Sequence, residues 1–464
     1  MKFLRYAFAL ACIALLLSCG GGLSVAVNGG GVGTGGTGIV AGTLTGLGSV
    51  VVDGVRYDES QAALESRPDL VHAQSLAISD LQVGQYVYLD LDASGNPTRV
   101  RVESQLVGPA ADVNVGTGQF TVWGQLVAIN ADPGQGPVTV LSGYQSVADV
   151  HPGDPVQVYG VLQSSDGGSD VIHATRVERL ASTAALPARV TGTLQIGMGG
   201  MGSSLLLAGQ PLDLSAVASA PAVGAGLAVT SVIPWTQNMS AAWQAASVAL
   251  LAPGAVTSIQ VSGAAHLLPG GHADVQGVNV DLSQLAADAR QALREGTYVT
   301  VDAVPESDDG TKAVASAAVP IPQTGRPAQL RGSITALPGP AMLVVRGQTV
   351  DARNAQFIGG GPSDLAVGGY VDVQGRQTPD GVTATQITVT SSPPQDAVLD
   401  LSGTVQSVDA ESGEIQMTTQ DGASVDLVLK PGTSLPKPGQ SVHAAGYWNS
   451  GKLDVRDYEA DPSH

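Results

Sequence analysis

Gln329-Leu330-Arg331-Gly332-Ser333-Ile334-Thr335-Ala336-Leu337 alternates apolar and polar residues, as a half-buried strand does. Residues 341–345 and 348–352 follow as a hairpin around Arg346-Gly347. A connection then leads to Gly369-Tyr370-Val371-Asp372-Val373-Gln374-Gly375, a turn at Pro379-Asp380-Gly381 and a last strand over 382–390. The stretch therefore reads as five strands separated by turns.

The same pattern recurs along the chain with a period of about seventy residues, the signature of a tandem array. One glycine opens each unit inside an apolar run, at Gly42, Gly124, Gly192, Gly263, Gly332 and Gly403. A second starts a later strand, at Gly84, Gly153, Gly226, Gly296, Gly368 and Gly439, with steps of 69, 73, 70, 72 and 71 residues. Turn residues able to supply positive φ precede the last strand at Ser94-Gly95-Asn96, Asp166-Gly167, Asp309-Gly310 and Asn449-Ser450-Gly451. Repeat 3 has no glycine there, only Trp235 to Trp243. In repeat 4, Leu282, Leu285, Ala286, Ala289 and Leu293 fall on one helical face between the third and fourth strands. Five strands with a helix in that position are the connectivity of the OB-fold, a partly open Greek-key barrel. The expected fold is all-β: a tandem array of six small five-stranded OB-like barrels, with a short helix in at least one. The units span 39–110, 111–183, 184–253 (divergent), 254–323, 324–393 and 394–464.

Residues 1–18 read as an export signal, with Lys2 and Arg5 before an apolar stretch too short to cross a bilayer. Its ending, Leu16-Leu17-Ser18-Cys19, resembles a bacterial lipobox, which implies lipidation of Cys19, and Gly20 after it favours the outer membrane. Residues 19–38 are a Gly-rich tether. The only other cysteine, Cys12, leaves with the signal, so disulfides, thiol catalysis and Cys-ligated zinc are excluded from the mature chain. Losing Lys2 and Arg5 takes the formal charge from -19 to -21, a balance that repels phosphate backbones and argues against nucleic acid. Aromatic residues make up only 4% of the chain, so stacking platforms for sugars or bases are scarce.

Units of the type Gly-x-Val/Ile, a middle hairpin, Val-Gly-x-x-Val-x-Val-x-Gly and a closing Ala-x-x-Val stand behind this leader. The best instances are Val367 to Gly375 with Ala384 to Ile387, and Pro152 to Gly160 with Ala174 to Val177. In this the chain resembles the bacterial lipoproteins of domain of unknown function 5666. The resemblance implies small OB-like barrels and an envelope location, and no established activity. Repeats 3 and 4 depart from the motif around Ser231 and Ala303, which leaves closure of those units as the point to test.

No catalytic constellation stands out. There is no Gly-x-Ser-x-Gly elbow, and the expectation is a protein that is not an enzyme and carries no cofactor. His266 and His272 flank the turn Pro269-Gly270-Gly271 without the further partners zinc requires, and His72, His151, His173, His443 and His464 are scattered. Asp90-Leu91-Asp92-Ala93-Ser94-Gly95 opens like a calcium loop but meets Arg101 where the bidentate Glu belongs. Gly197 to Gly202 is glycine-rich without the Lys-Ser/Thr of a phosphate loop. Met198, Met201 and Met239, with Trp235 and Trp243, gather in repeat 3, where thioethers could take Cu(I) or simply pack. No metal site is expected from these residues.

Two functions fit. The first is a lipid-anchored envelope spacer or scaffold, tethered to the membrane through Cys19, facing the periplasm or the cell surface and binding a protein or glycan. Six units in line would reach roughly 170 Å. The second is a periplasmic or surface lipoprotein binding a small ligand, an oligosaccharide or a metal, with its site in repeat 3. Units packed around shared clefts favour the second.

Overall fold

The structure, a computed structural model, describes residues 38–165, 170–181, 186–199, 202–217, 220–231, 242–252, 254–321, 327–419, 422–430 and 432–460. The lipobox, Cys19 and most of the tether lie outside the described residues, as do Trp235, Met239 and the side chains of Met198 and Met201.

Repeat 5 contains the strands Pro327–Gly339, Met342–Val345, Gln348–Asp351, Tyr370–Thr378 and Gly381–Thr390, with an extra short strand, Gln356–Ile358. The first strand pairs antiparallel with the second and the fourth, the second pairs with the third, and the fourth with the fifth. The third runs parallel to the fifth, which closes the ring in the order 1-2-3-5-4 of an OB barrel. In repeat 6 the strands Val398–Val408, Glu414–Thr419, Ser424–Val428, Ser441–Asn449 and Lys452–Ala460 form a closed barrel. The closing parallel pair occurs in repeat 3 as Leu212 opposite Trp243 and in repeat 4 as Asn279 opposite Lys312, so the departures around Ser231 and Ala303 do not open those rings. A register shift between the fourth and fifth strands accompanies closure. It falls at Gly160, Gly375 and Gly446 and also, without glycine, at Ser231 and Ala303. Such a bulge bends the strand toward the barrel axis.

The helix of repeat 4 is shorter than the pattern predicts. Only Ala287–Ala292 is helical, while Leu282, Leu285 and Leu293 are buried on either side of it. Repeats 1, 2 and 5 place a single 3-10 turn at this point, Ile78–Asp80, Val147–Asp149 and Pro362–Asp364.

The glycine spacing has a geometric cause. In repeat 5 the N–H of Gly368, at positive φ, donates to Ile334 O, and Gly332 lies opposite Val371. The same bond recurs from Gly84 to Leu44, Gly153 to Ala110, Gly224 to Leu194, Gly296 to Ala265 and Gly439 to Val405. Two expected positions are thereby corrected. The opening glycine of repeat 2 is Gly108, opposite Val156, and the second glycine of repeat 3 is Gly224. Gly124 instead follows Trp123 in a hairpin turn, and Gly226 has another role: a Cβ there would meet Gly277 Cα at 2.7 Å. Because Gly108 lies in the strand Leu106–Asn114, the expected boundary at 110 falls inside a strand.

The opening glycine is a bed for the tip of the second hairpin. Asp53-Gly54, Trp123-Gly124, Ala208-Gly209, Gln276-Gly277 and Arg346-Gly347 all have positive φ at both residues, the requirement of a type I′ turn. A Cβ on Gly42 would come within 2.1 Å of Asp53 Oδ2, and one on Gly108 within 2.0 Å of Trp123 Nε1. Four of these tip side chains also reach other repeats. Asp53 accepts from Tyr298 Oη at 2.8 Å, Gln276 Oε1 accepts from Leu162 N at 2.8 Å, and Arg346 donates to Ile78 O at 3.1 Å. Trp123 stands edge-on to Trp243, with ring centroids 5.2 Å apart.

Repeats therefore do not follow one another in line. Residues Val32–His464 form one compact unit. Within it, the first strand of repeat 1, Gly38–Leu47, pairs in parallel with Ser258–Leu268 of repeat 4 and, further along, with Pro327–Gly339 of repeat 5. Repeat 1 also meets repeat 2 through Thr175 and Gly84, repeat 3 through Arg189 and Glu103, and repeat 6 through Tyr447 and Glu59. One apolar cluster unites repeats 1 and 5, and another unites repeats 2 and 3. Barrels of this size bury little surface alone, and fusing their cores supplies the rest.

Candidate functional site

Where repeats 2, 3 and 4 meet, a cleft of about 870 Å³ opens. Repeat 3 contributes the apolar Leu194, Ile196, Val223 and Leu250 along with Thr193 and Gln195, and repeats 2 and 4 contribute mostly polar side chains, among them Ser164, His266 and Asp274. Ile196 and Val223 remain more than half exposed, at 54% and 53%, which is unusual for aliphatic side chains facing a concavity.

Among these polar groups, one hydrogen-bonded chain crosses all three repeats. Thr193 Oγ1 donates to Ser164 Oγ at 2.9 Å, and Ser164 Oγ to Asp274 Oδ1 at 3.0 Å. Asp170 closes the other end, accepting from Thr193 N at 2.6 Å and Ser165 N at 3.1 Å. Asp274 sits two residues before the Gln276-Gly277 hairpin tip and accepts from Gly277 N at 3.2 Å. Burial pushes its carboxyl up to about 6, against the N–H of Gly277, the Ser164 hydroxyl and the nearby His266. Burial also raises Asp170, against its bonds from Thr193 and Ser165. His266 places Nδ1 3.0 Å from Glu295 Oε1, and Glu295 accepts from Leu267 N at 2.8 Å. Burial would raise Glu295, but that N–H, His266 and Gln163 outweigh it and hold the carboxyl below its usual range. The cleft thus combines a network of buried hydrogen-bonding groups with aliphatic side chains of repeat 3. It suits the capture of a ligand with hydroxyl groups on one face and an apolar surface on the other.

Of the residues singled out in the sequence, His266 lines this cleft, whereas His272 turns its Nδ1 to Asn279 Oδ1 at 3.0 Å. Among the described residues no three His, Cys, Asp or Glu side chains converge in a way that could hold a metal ion. Asp92 caps its own hairpin, accepting from Ser94 N at 2.8 Å and Asn96 N at 2.9 Å, and the Asn96 N–H above all keeps its carboxyl below the usual range. The backbone of Gly197 and Gly199 pairs with Ser204 and Gly202 as a hairpin. Trp243 is buried between repeats 2 and 3, and Cys19 lies outside the described residues. Sequence reading missed Asp170, Asp274 and Ser164, which look like ordinary turn acids and a linker serine. Asp274 two residues before a Gln-Gly tip is the local sign that it is buried.

Among the described residues no helix is long and apolar enough to cross a membrane. The fold and cleft define a class: tandem OB-like barrels fused through shared cores, with concave sites at their junctions. Residues 331–388 match the family model described as Domain of unknown function (DUF5666), a span that covers one barrel from its opening glycine into its closing strand. No curated protein matches the chain.

Proposed function

We propose that this chain is a non-enzymatic binding lipoprotein of the bacterial cell envelope, tethered by lipidated Cys19. It holds a small hydroxylated ligand with an apolar face, such as a short oligosaccharide, in the cleft between repeats 2, 3 and 4. The observation that carries this reading is the cleft itself, whose volume lies in the range of small-ligand sites and most of whose aliphatic side chains belong to repeat 3. The lipobox and the Gly-rich tether support the anchored location, and the array of barrels is the rigid frame that shapes the cleft.

The test is a calorimetric titration of the chain from Gly20 with a panel of short glycans, run beside Val223→Trp, which fills the cleft from an exposed position. Saturable binding lost at least tenfold in that variant supports the reading. Equal binding in both proteins, or none by any glycan, removes the cleft as the site and returns the scaffold reading, with a protein partner sought by cross-linking on intact cells.

A further inference from the structure

A second concavity, about 450 Å³, lies where repeats 1, 2 and 3 meet, and its chemistry differs from the first. Two of its lining residues, Arg67 and Arg189, share with Arg101 a carboxylate, Glu103, that is buried and does not itself line the concavity. Arg67 approaches Glu103 Oε1 at 2.9 Å, Arg101 Nε reaches the same oxygen at 3.2 Å, and Arg189 bonds Oε2 at 2.8 Å. The Glu103 and Arg189 side chains are each only 4% exposed. Burial pushes Glu103 up, but Arg189, Arg67 and Arg101 outweigh it and hold the carboxyl ionised below its usual range. One negative charge thus faces three fixed guanidiniums.

The other charges nearby do not restore the balance. Glu178 is already paired with Arg176, and Asp80, on the 3-10 turn of repeat 1, is committed to the N–H of Ala77 at 2.8 Å. Counting all seven groups leaves an excess of one positive charge, in a chain with 40 acidic and 21 basic residues. Concentrating arginine in a junction from which water is partly excluded is costly unless an anion completes it. Arg189 Nε is buried without a hydrogen-bond partner among the described residues, so its donors are not exhausted by Glu103. Arg67 and Arg189 both line the cleft, and Gln74, Gln157, Ser104 and Tyr159 add amides and hydroxyls around them. Planar guanidiniums match carboxylates two oxygens at a time, and amides with hydroxyls match the rest of a sugar ring.

We infer that the junction of repeats 1, 2 and 3 binds a carboxylate-bearing sugar of the uronic acid type, Arg67 and Arg189 taking the carboxylate. The site is separate from the cleft of repeats 2, 3 and 4 and does not depend on it.

The test titrates the chain from Gly20 with glucuronate, glucose, acetate and inorganic phosphate, using calorimetry and arginine Nε–H NMR. Glucuronate is expected to bind saturably, to weaken at least fivefold between 50 and 300 mM salt, roughly as screening of one ion pair requires, and to shift the side-chain signals of Arg67 and Arg189. Glucose is expected not to bind, and acetate only weakly. Arg67→Gln, at the open edge of the cluster, should lower glucuronate affinity at least tenfold, and Arg67→Lys less. If Arg67→Gln fails to fold, the salt dependence and arginine signals of the unaltered protein still decide. Absence of glucuronate binding, phosphate bound in preference to it, or binding that leaves both arginine signals unmoved would overturn the assignment. Val223→Trp should leave this binding unchanged, which separates its failure from that of the first cleft.

Discussion

Asp274 and Glu103 are both buried carboxylates, yet their surroundings drive them in opposite directions. Glu103 meets three guanidiniums and stays ionised. Asp274 accepts from the Ser164 hydroxyl and the Gly277 N–H with His266 nearby, and burial outweighs them and raises it to about 6. A raised acid binds its proton more tightly in the folded state than in the unfolded chain. Its contribution to stability is therefore fully present below the ordinary carboxylate range and is lost as pH climbs through about 6. For a shift of this size the loss is on the order of 2 to 3 kcal/mol. Urea unfolding at a series of pH values should show stability falling between about pH 4 and 6, and Asp274→Asn should flatten that slope. A slope unchanged in the variant would mean that other acids set it. His443, raised chiefly by its hydrogen bond to Asp400, acts in the same sense at higher pH: its stabilisation holds below the ordinary histidine range and fades as pH rises through its folded value.

At the scale of elements, the hairpin tip resting on the opening glycine is the unit that repeats, and it explains why the glycines are spaced so evenly. Two kinds of glycine are at work and should answer differently to substitution. Gly153 has φ +93 with open space around its missing Cβ, so Gly153→Ala meets only backbone strain, about 1 kcal/mol. Gly108 is free of that strain, but a Cβ there would come 2.0 Å from the Trp123 indole, whose Nε1 donates to Val107 O at 2.8 Å. Gly108→Ala must expel the ring from the shared core of repeats 2 and 3 and should cost about 3 kcal/mol or more. Thermal unfolding of the two variants would rank them, and equal losses would contradict the bed-and-tip geometry. Strand alternation and the closing turns at Gly95, Gly310, Gly381 and Gly451 were legible in the sequence because each is encoded within a few residues. The displaced glycines were not, since in a glycine-rich chain Gly124 and Gly226 fit the period as well as Gly108 and Gly224 do. Tip residues such as Asp53 and Gln276 gave no warning either, because their partners belong to other repeats. The cleft was hidden for the same reason, with Ser164 and Asp274 brought together across 110 residues.

For the whole molecule, the question is whether stability runs along the chain or through repeat 1. In a linear array each unit touches only its neighbours, so damage in repeat 5 would be felt in repeats 4 and 6. Here Leu330 of repeat 5 lies opposite Leu47 of repeat 1, and both are buried in one cluster with Leu44, Leu89 and Val373. Repeat 6 has a largely separate core around Met417 and Leu427. Leu330→Ala removes a fully buried side chain and should cost about 2 to 5 kcal/mol, the range for leucine truncation in a packed core. Because the core is shared, that loss should appear in repeat 1, distant in sequence, at least as strongly as in repeat 6, its neighbour in sequence. Native-state hydrogen exchange reads this directly: the amides of Leu44 and Gly84, bonded across repeat 1, should lose protection together with those of Ile334 and Gly368. Protection lost in repeats 5 and 6 but retained at Leu44 and Gly84 would show that the barrels unfold as a string, and a frame hinged that way could not hold the clefts that repeats 1 to 4 build between them.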